Sequence, residues 1–196
     1  MLVKTFGCAV HGVDAIPITI EVDICQGLHY VIVGLPDNTV KESLSRVESA
    51  IKNCNYRMPR NRIVFNLAPA DLKKTGSSFD LAMALGVLAA SEQIPNSKPL
   101  NQYMIMGELS LDGAVQPVKG ALPMAIQARK NGFKGVIVPA ENAKEAGMVN
   151  KIKVFSVRHL TEVVDFFSGV KALEPVSINT REAFFATQYD FDLDFG

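Results

Sequence analysis

NLAPADLKKTGSSFDLAMAL, residues 66–85, takes the chain from one kind of structure to another. The run that leads into it, Arg62-Ile-Val-Phe-Asn-Leu67, is rich in β-branched and aromatic residues and predicts a strand. A polar loop with Gly76, Ser77 and Ser78 follows, and from about Phe79 an apolar run predicts a helix to Ala90. Ser77 stands three residues before Asp80, the spacing of a capping box. Its hydroxyl would satisfy an orphan amide while the carboxylate faces the positive end of the helix dipole. Further on, GELSLDGAVQPV (residues 107–118) sets Asp112-Gly113 between two apolar runs and predicts a hairpin from Met104 to Val118.

Working outward, Leu2 to Val10 and Ile16 to Ile24 are joined by the turn-like His11-Gly12-Val13-Asp14. With Tyr30 to Val33 they read as three strands of an antiparallel meander. Gly34-Leu35-Pro36-Asp37 ends the third, and Asp37 or Asn38 can cap a helix from Val40 to Lys52. Its apolar face carries Val40, Leu44, Val47 and Ile51. A helix Leu122 to Lys130, strands Gly135 to Val138 and Lys153 to Val157, and a helix Leu160 to Phe167 complete the pattern. Strands come first and then alternate with helices, so the fold class is α/β (α+β), a sandwich with a mixed sheet and packed helices. From Lys171 the periodicity fades, and the chain ends in the acidic, aromatic YDFDLDFG of residues 189–196. We read residues 1–170 as one domain and 171–196 as a linker.

With 20 basic and 20 acidic residues in 196, no global field argues for nucleic acid, a membrane surface or an acidic substrate. Three separated cysteines (Cys8, Cys25, Cys54) without a C-x-x-C favour reduced thiols over a disulfide framework or zinc site. No apolar run reaches membrane-spanning length and no leader pattern opens the chain, so a cytoplasmic location is expected. No cluster of Asp, Glu and His has metal-ligand spacing. His11 and His29 read as core or rim groups, Lys73 and Lys74 as solvated loop charges, and Glu108 as an acceptor at a strand end. One basic cluster stands out: Lys52, Arg57, Arg60 and Arg62, with Tyr56 interleaved, could grip phosphates and stack on a base, and form a candidate nucleic-acid contact.

The wording of the two segments quoted above, Ala68-Pro-Ala-Asp71 with Lys74, Gly76, Ser77 and Phe79-Asp-Leu81, and then GELSLDG followed by Pro117-Val118, resembles the proteolytic domain of Lon. It resembles still more closely the N-terminal Lon-like domain of the ComM/YifB family of magnesium-chelatase-like AAA+ ATPases, over about residues 1–170. The resemblance implies a Lon-protease-domain-like fold of the superfamily of ribosomal protein S-five domain two. It also implies a parent ATPase whose AAA+ module takes ATP and Mg, assembles with neighbouring subunits as a homo-oligomer, expected to be a hexamer, and handles DNA by branch migration in natural transformation. No G-x-x-x-x-G-K-[ST] occurs here, so this chain is expected to hold no cofactor itself and to precede that module. A Lon-type peptidase pairs a serine with a lysine. On that pattern the nucleophile position falls on Gly76 and the base position on Met124, and neither residue can serve. A one-residue shift leaves Ser77 or Ser78 with Lys119 as the alternative dyad. A third reading is an interaction domain for a magnesium-chelatase-like complex.

Overall fold

The structure, a computed structural model, describes residues 1–11, 14–95 and 99–177. In chain order the strands are β1 (Leu2–His11), β2 (Asp14–Cys25), β3 (Tyr30–Val33), β4 (Arg62–Ala68), β5 (Tyr103–Ile105), β6 (Glu108–Leu109), β7 (Val115–Gln116), β8 (Gly135–Pro139) and β9 (Lys153–Val157). The helices are α1 (Asn38–Asn53), α2 (Asp80–Ala90), α3 (Ala121–Lys130), α4 (Ala143–Gly147) and α5 (Leu160–Ser168). Seven strands form one mixed sheet in the order β3-β4-β2-β1-β5-β8-β9, and β6 and β7 form a separate ribbon. The pairs β1–β2 and β2–β4 are antiparallel; the other four are parallel.

Side-chain alternation assigns the two faces. Thr5, Ala9, Ile20, Phe65, Ile105 and Ile137 are buried on the side covered by α1, α2 and α5, whereas Cys8, Met104, Val136 and Val138 pack with Met124 and Ala125 of α3 and Ala146 of α4. Helix α2 is buried almost all round, as expected for a helix apolar on every side. It lies so close to the sheet that a Cβ on Gly86 would come within 2.5 Å of the Val22 side chain.

Two expectations are corrected. The meander is broken after β2: β3 pairs with β4, in parallel, and β4 inserts between β3 and β2. The seven-residue β4 brings Ile63, Phe65 and Leu67 to the core along β2, a larger burial than the four-residue β3 can offer, and the α1 crossover makes β3 and β4 parallel. The hairpin Met104 to Val118 is also divided. Residues Tyr103–Ile105 belong to the main sheet, and the chain leaves it at Gly107, whose N–H donates to Ser78 O at 3.0 Å and whose carbonyl accepts from Leu81 N at 3.1 Å. The head of α2 occupies the main chain there, and a Cβ on Gly107 would lie 2.8 Å from Val115. The ribbon turn carries its positive φ at Gly113 alone, at 93°.

Helix α1 begins as expected, with Asp37 Oδ1 accepting from Val40 N at 2.8 Å. Beyond α5 the chain returns to the sheet: Val176 N donates to Val154 O at 2.8 Å and Pro175 bridges Phe155, so the first residues of the expected linker lie along β9. Residues 178–196, the remainder of that linker, lie outside the described residues. No helix among the described residues is long and apolar enough to cross a membrane.

Candidate functional site

The head of α2 is where the sequence directs attention, and its chemistry is not that of a capping box. Asp80 is the first helical residue, wholly buried, and its carboxylate turns into the interior. It accepts from Arg46 Nε at 2.6 Å and Nη2 at 3.1 Å, and from Leu109 N at 3.1 Å. Arg46 Nη2 also donates to Thr39 O (3.2 Å) and Ser43 Oγ (3.0 Å). This fork–fork pair therefore ties α1, α2 and β6 together. Burial pushes the Asp80 carboxyl up, while Arg46, Ser43 and the Leu109 amide pull it back; the bond to Asp80 raises Arg46. Ser77 caps nothing. Its hydroxyl donates to the Glu108 carboxylate, which confirms Glu108 as an acceptor at a strand end.

Lys74 also departs from expectation. Lys73 is exposed, but Lys74 is wholly buried, with Nζ donating to the Pro69 carbonyl. Its main chain receives Asp37 N at 3.0 Å and gives its own N–H to Leu35 O at 3.0 Å, so it locks the loop after β4 to the loop after β3. Burial pushes its ammonium below the ordinary lysine range, partly offset by Asp71. A single lysine letter in a polar loop gives no sign of this, because the burying surface comes from distant segments.

Thr75, Gly76, Ser77 and Ser78 line a cleft of about 550 Å³ with Val10, Pro117, Val118 and Lys119. The fold thus brings Ser77, Ser78 and Lys119 to one cleft, and no hydrogen bond joins Lys119 to either serine among the described residues. Gly76 sits in its wall at φ 85°. Met124 faces away, buried among Cys8, Met104 and Ala128. In that pocket the Cys8 thiol is pushed up to about 12 by burial.

The basic cluster lies elsewhere, at the C-terminal end of α1. Lys52, Tyr56, Arg57 and Arg60 surround a cavity of about 730 Å³ with Tyr30, Glu48, Met58 and Pro59; Arg62 does not line it. Lys52 is paired with Glu48 at 2.6 Å, and the Arg57 main chain is bracketed by Gln93, which accepts at 2.8 Å and donates at 2.7 Å. Arg57, Arg60 and Arg62 are exposed residues. Burial raises both Tyr30 and Tyr56, in line with rings seated against the fold.

One junction escaped the sequence reading. Cys54 Sγ and His159 Nε2 converge on the Asp112 carbonyl, at 3.6 Å and 3.1 Å, while Asn53 Nδ2 donates to Leu111 O at 2.7 Å. His159 Nδ1 accepts from Thr161 N at the start of α5, so Nε2 carries the proton and donates. The ribbon tip is clamped between α1 and α5. His159 just before the apolar run at Leu160 was the available signal, but histidine is not among the usual N-caps.

An α+β scaffold with this serine-bearing loop, and with Gly76 and Lys119 in the wall of the cleft, defines a class that known sequences make specific. The profile of the family described as "Subunit ChlI of Mg-chelatase" matches residues 20–142, and the chain belongs to that family. It is 48% identical over 164 residues to YifB of Salmonella typhimurium and 41% identical over 163 residues to the competence protein ComM of Haemophilus influenzae. Each match covers 83% of this chain and 32% of the relative. Lon protease 2 of Bacillus subtilis is 34% identical over 126 residues, 64% of this chain and 22% of that protein. The chain thus spans about a third of the length of the YifB and ComM relatives it matches.

Proposed function

We propose that this chain is a non-catalytic N-terminal accessory domain that helps assemble or orient a larger ring ATPase of the ComM/YifB kind acting on DNA in the cytoplasm. The observation that carries the reading is the state of the cleft: the Ser77 hydroxyl is given to Glu108, Lys119 is bonded to neither serine, and Met124 is buried on the other side of the sheet. A serine peptidase needs its nucleophile within hydrogen-bond reach of its base. The length of the relatives supports a further module, which would supply the phosphate-cradling loop absent from this sequence and take ATP and Mg. The neighbouring subunits of a homo-oligomer, expected to be a hexamer, and DNA at the Arg57–Arg60 cavity are the partners in this reading.

Fluorophosphonate labelling and calorimetry with ATP test it. Residues 1–196 should take up neither reagent, and Ser77→Ala should lower stability by about 1 kcal/mol through the lost bond to Glu108. Labelling that disappears in Ser77→Ala or Ser78→Ala, with Lys119→Ala also silent, would establish the peptidase reading instead. Micromolar ATP affinity would remove the division of labour between this domain and a separate motor.

A further inference from the structure

The cavity at the C-terminal end of α1 is shaped by the main chain before any ligand enters it. Helix α1 ends in a Schellman motif: Asn55 takes the left-handed backbone at φ 64°, its N–H donates to Lys52 O at 3.1 Å, and Tyr56 N donates to Ile51 O at 3.0 Å. These bonds set the direction in which the chain leaves the helix. Gln93 then holds the Arg57 main chain as both donor and acceptor, and its amide is steadied by a further bond to Ser91 Oγ at 2.7 Å. Tyr30 from β3 and Tyr56 from the loop pack against the main core, half-buried, and still line the cavity. Rings anchored in this way offer a ligand contact area with little conformational entropy left to lose.

The charges around the cavity are not equivalent. Arg57 and Arg60 have no carboxylate partner among the described residues, whereas Lys52 is paired with Glu48, the only carboxylate among the lining residues. Glu48 also lies close enough to Tyr30 to add to the rise that burial causes in its hydroxyl. A cluster of cations alone would hold any polyanion. Two anchored rings in a cavity of about 730 Å³, within the roughly 300–1,000 Å³ of small-molecule sites, add room for a flat ring beside the phosphates.

We propose that this cavity takes an unpaired base against Tyr30 and Tyr56 with the neighbouring phosphates on Arg57 and Arg60, and that Glu48 restrains the site by keeping Lys52 from the strand. The inference rests on the reading that DNA meets the chain here, and narrows it to single strands. In a duplex the bases are stacked and paired, so reaching the rings first costs their extrusion. A single strand has its bases to give, and stacking on an aromatic ring tolerates any sequence because every base has a π-face.

Fluorescence anisotropy of residues 1–196 with a labelled oligothymidylate of about 12 nucleotides, and with a duplex of the same length, tests it. At one salt concentration the single strand should bind at least about tenfold more tightly. Tyr30→Leu and Tyr56→Leu should each weaken it about five- to hundredfold without changing the salt slope, and Tyr56→Phe, which keeps the ring, should not. Glu48→Gln should tighten binding and steepen the slope of log affinity against log salt by about 0.7, the increment for one more phosphate on a single strand. Should a leucine variant fail to fold, the ratio of strand to duplex and the partly exposed Glu48 carry the test. Equal affinity for both forms that is lost with Arg57→Ala and Arg60→Ala but indifferent to the tyrosines would overturn the inference and leave DNA contact at the cavity standing. A Glu48→Gln slope no steeper than the parent's would overturn the restraint assigned to Glu48. Binding of neither form would overturn both the inference and the reading beneath it.

Discussion

Arg46 and Arg57 lie on the same helix–loop segment and have opposite fates. Arg46 inserts from the middle of α1 beneath the head of α2, where Asp80 takes its fork and Ser43 and Thr39 take what remains. Arg57 sits beyond the end of α1, its main chain stapled by Gln93, and it is exposed and lines one cavity with Arg60. A buried charge is committed to the fold and cannot recognise anything else, whereas an exposed one contributes little to stability and stays available for a ligand. That difference predicts where substitutions hurt and what they hurt.

Asp80→Asn should have the largest effect. It leaves Arg46 charged and half-desolvated and weakens the hold on Leu109 N, which points to a loss of about 3–5 kcal/mol and a fall in Tm of roughly 10 °C, measured by calorimetry. A loss below about 1 kcal/mol would mean that the pair is replaceable and the contrast with Arg57 overstated.

Lys74→Met sharpens the comparison, because Lys74 is a buried cation with a carbonyl partner and no salt bridge among the described residues. Exchange for an apolar side chain of similar length should be neutral or stabilise by about 1 kcal/mol at neutral pH. The sign follows from its depressed pKa: the folded state binds the proton less tightly than the unfolded one, so the charge destabilises the fold most below its folded pKa. The gain from Lys74→Met should therefore shrink as pH rises toward the ordinary lysine value. Urea melts at pH 7 and at about pH 10 would check it.

The smallest stability effect belongs to Arg57→Ala with Arg60→Ala, within about 0.5 kcal/mol. Its consequence should instead appear in binding. Whatever affinity the chain has for single-stranded oligonucleotides should be sequence-tolerant, fall steeply with salt and disappear in the double variant by fluorescence anisotropy. Unchanged binding would move DNA contact away from the cavity between Tyr30 and Tyr56.

Local pattern was legible wherever one element decides its own form. The bounds of β3 and β9 follow from β-branched runs, the existence of α1, which starts two residues before the expected Val40, follows from Asp37 before an apolar helical face, and the mixed α/β class follows from their order. The head of α2 was not legible, because Ser77 and Asp80 have capping-box spacing but are claimed by Glu108 and Arg46 from other parts of the chain. Likewise Lys74 has the letters of a solvated loop and the environment of a core.

The sequence by itself determined the family, the identity of most elements and the lack of a nucleotide-cradling loop, since these depend on short-range wording and spacing. Tertiary structure alone decided that β4 separates β3 from β2, that Asp80 faces inward, that Ser77, Ser78 and Lys119 share a cleft while Met124 leaves it, and that β3 is the outermost strand of the sheet among the described residues. Those outcomes depend on which distant surfaces compete for a side chain or a strand edge, and the energy of that competition is not written in any one stretch of residues.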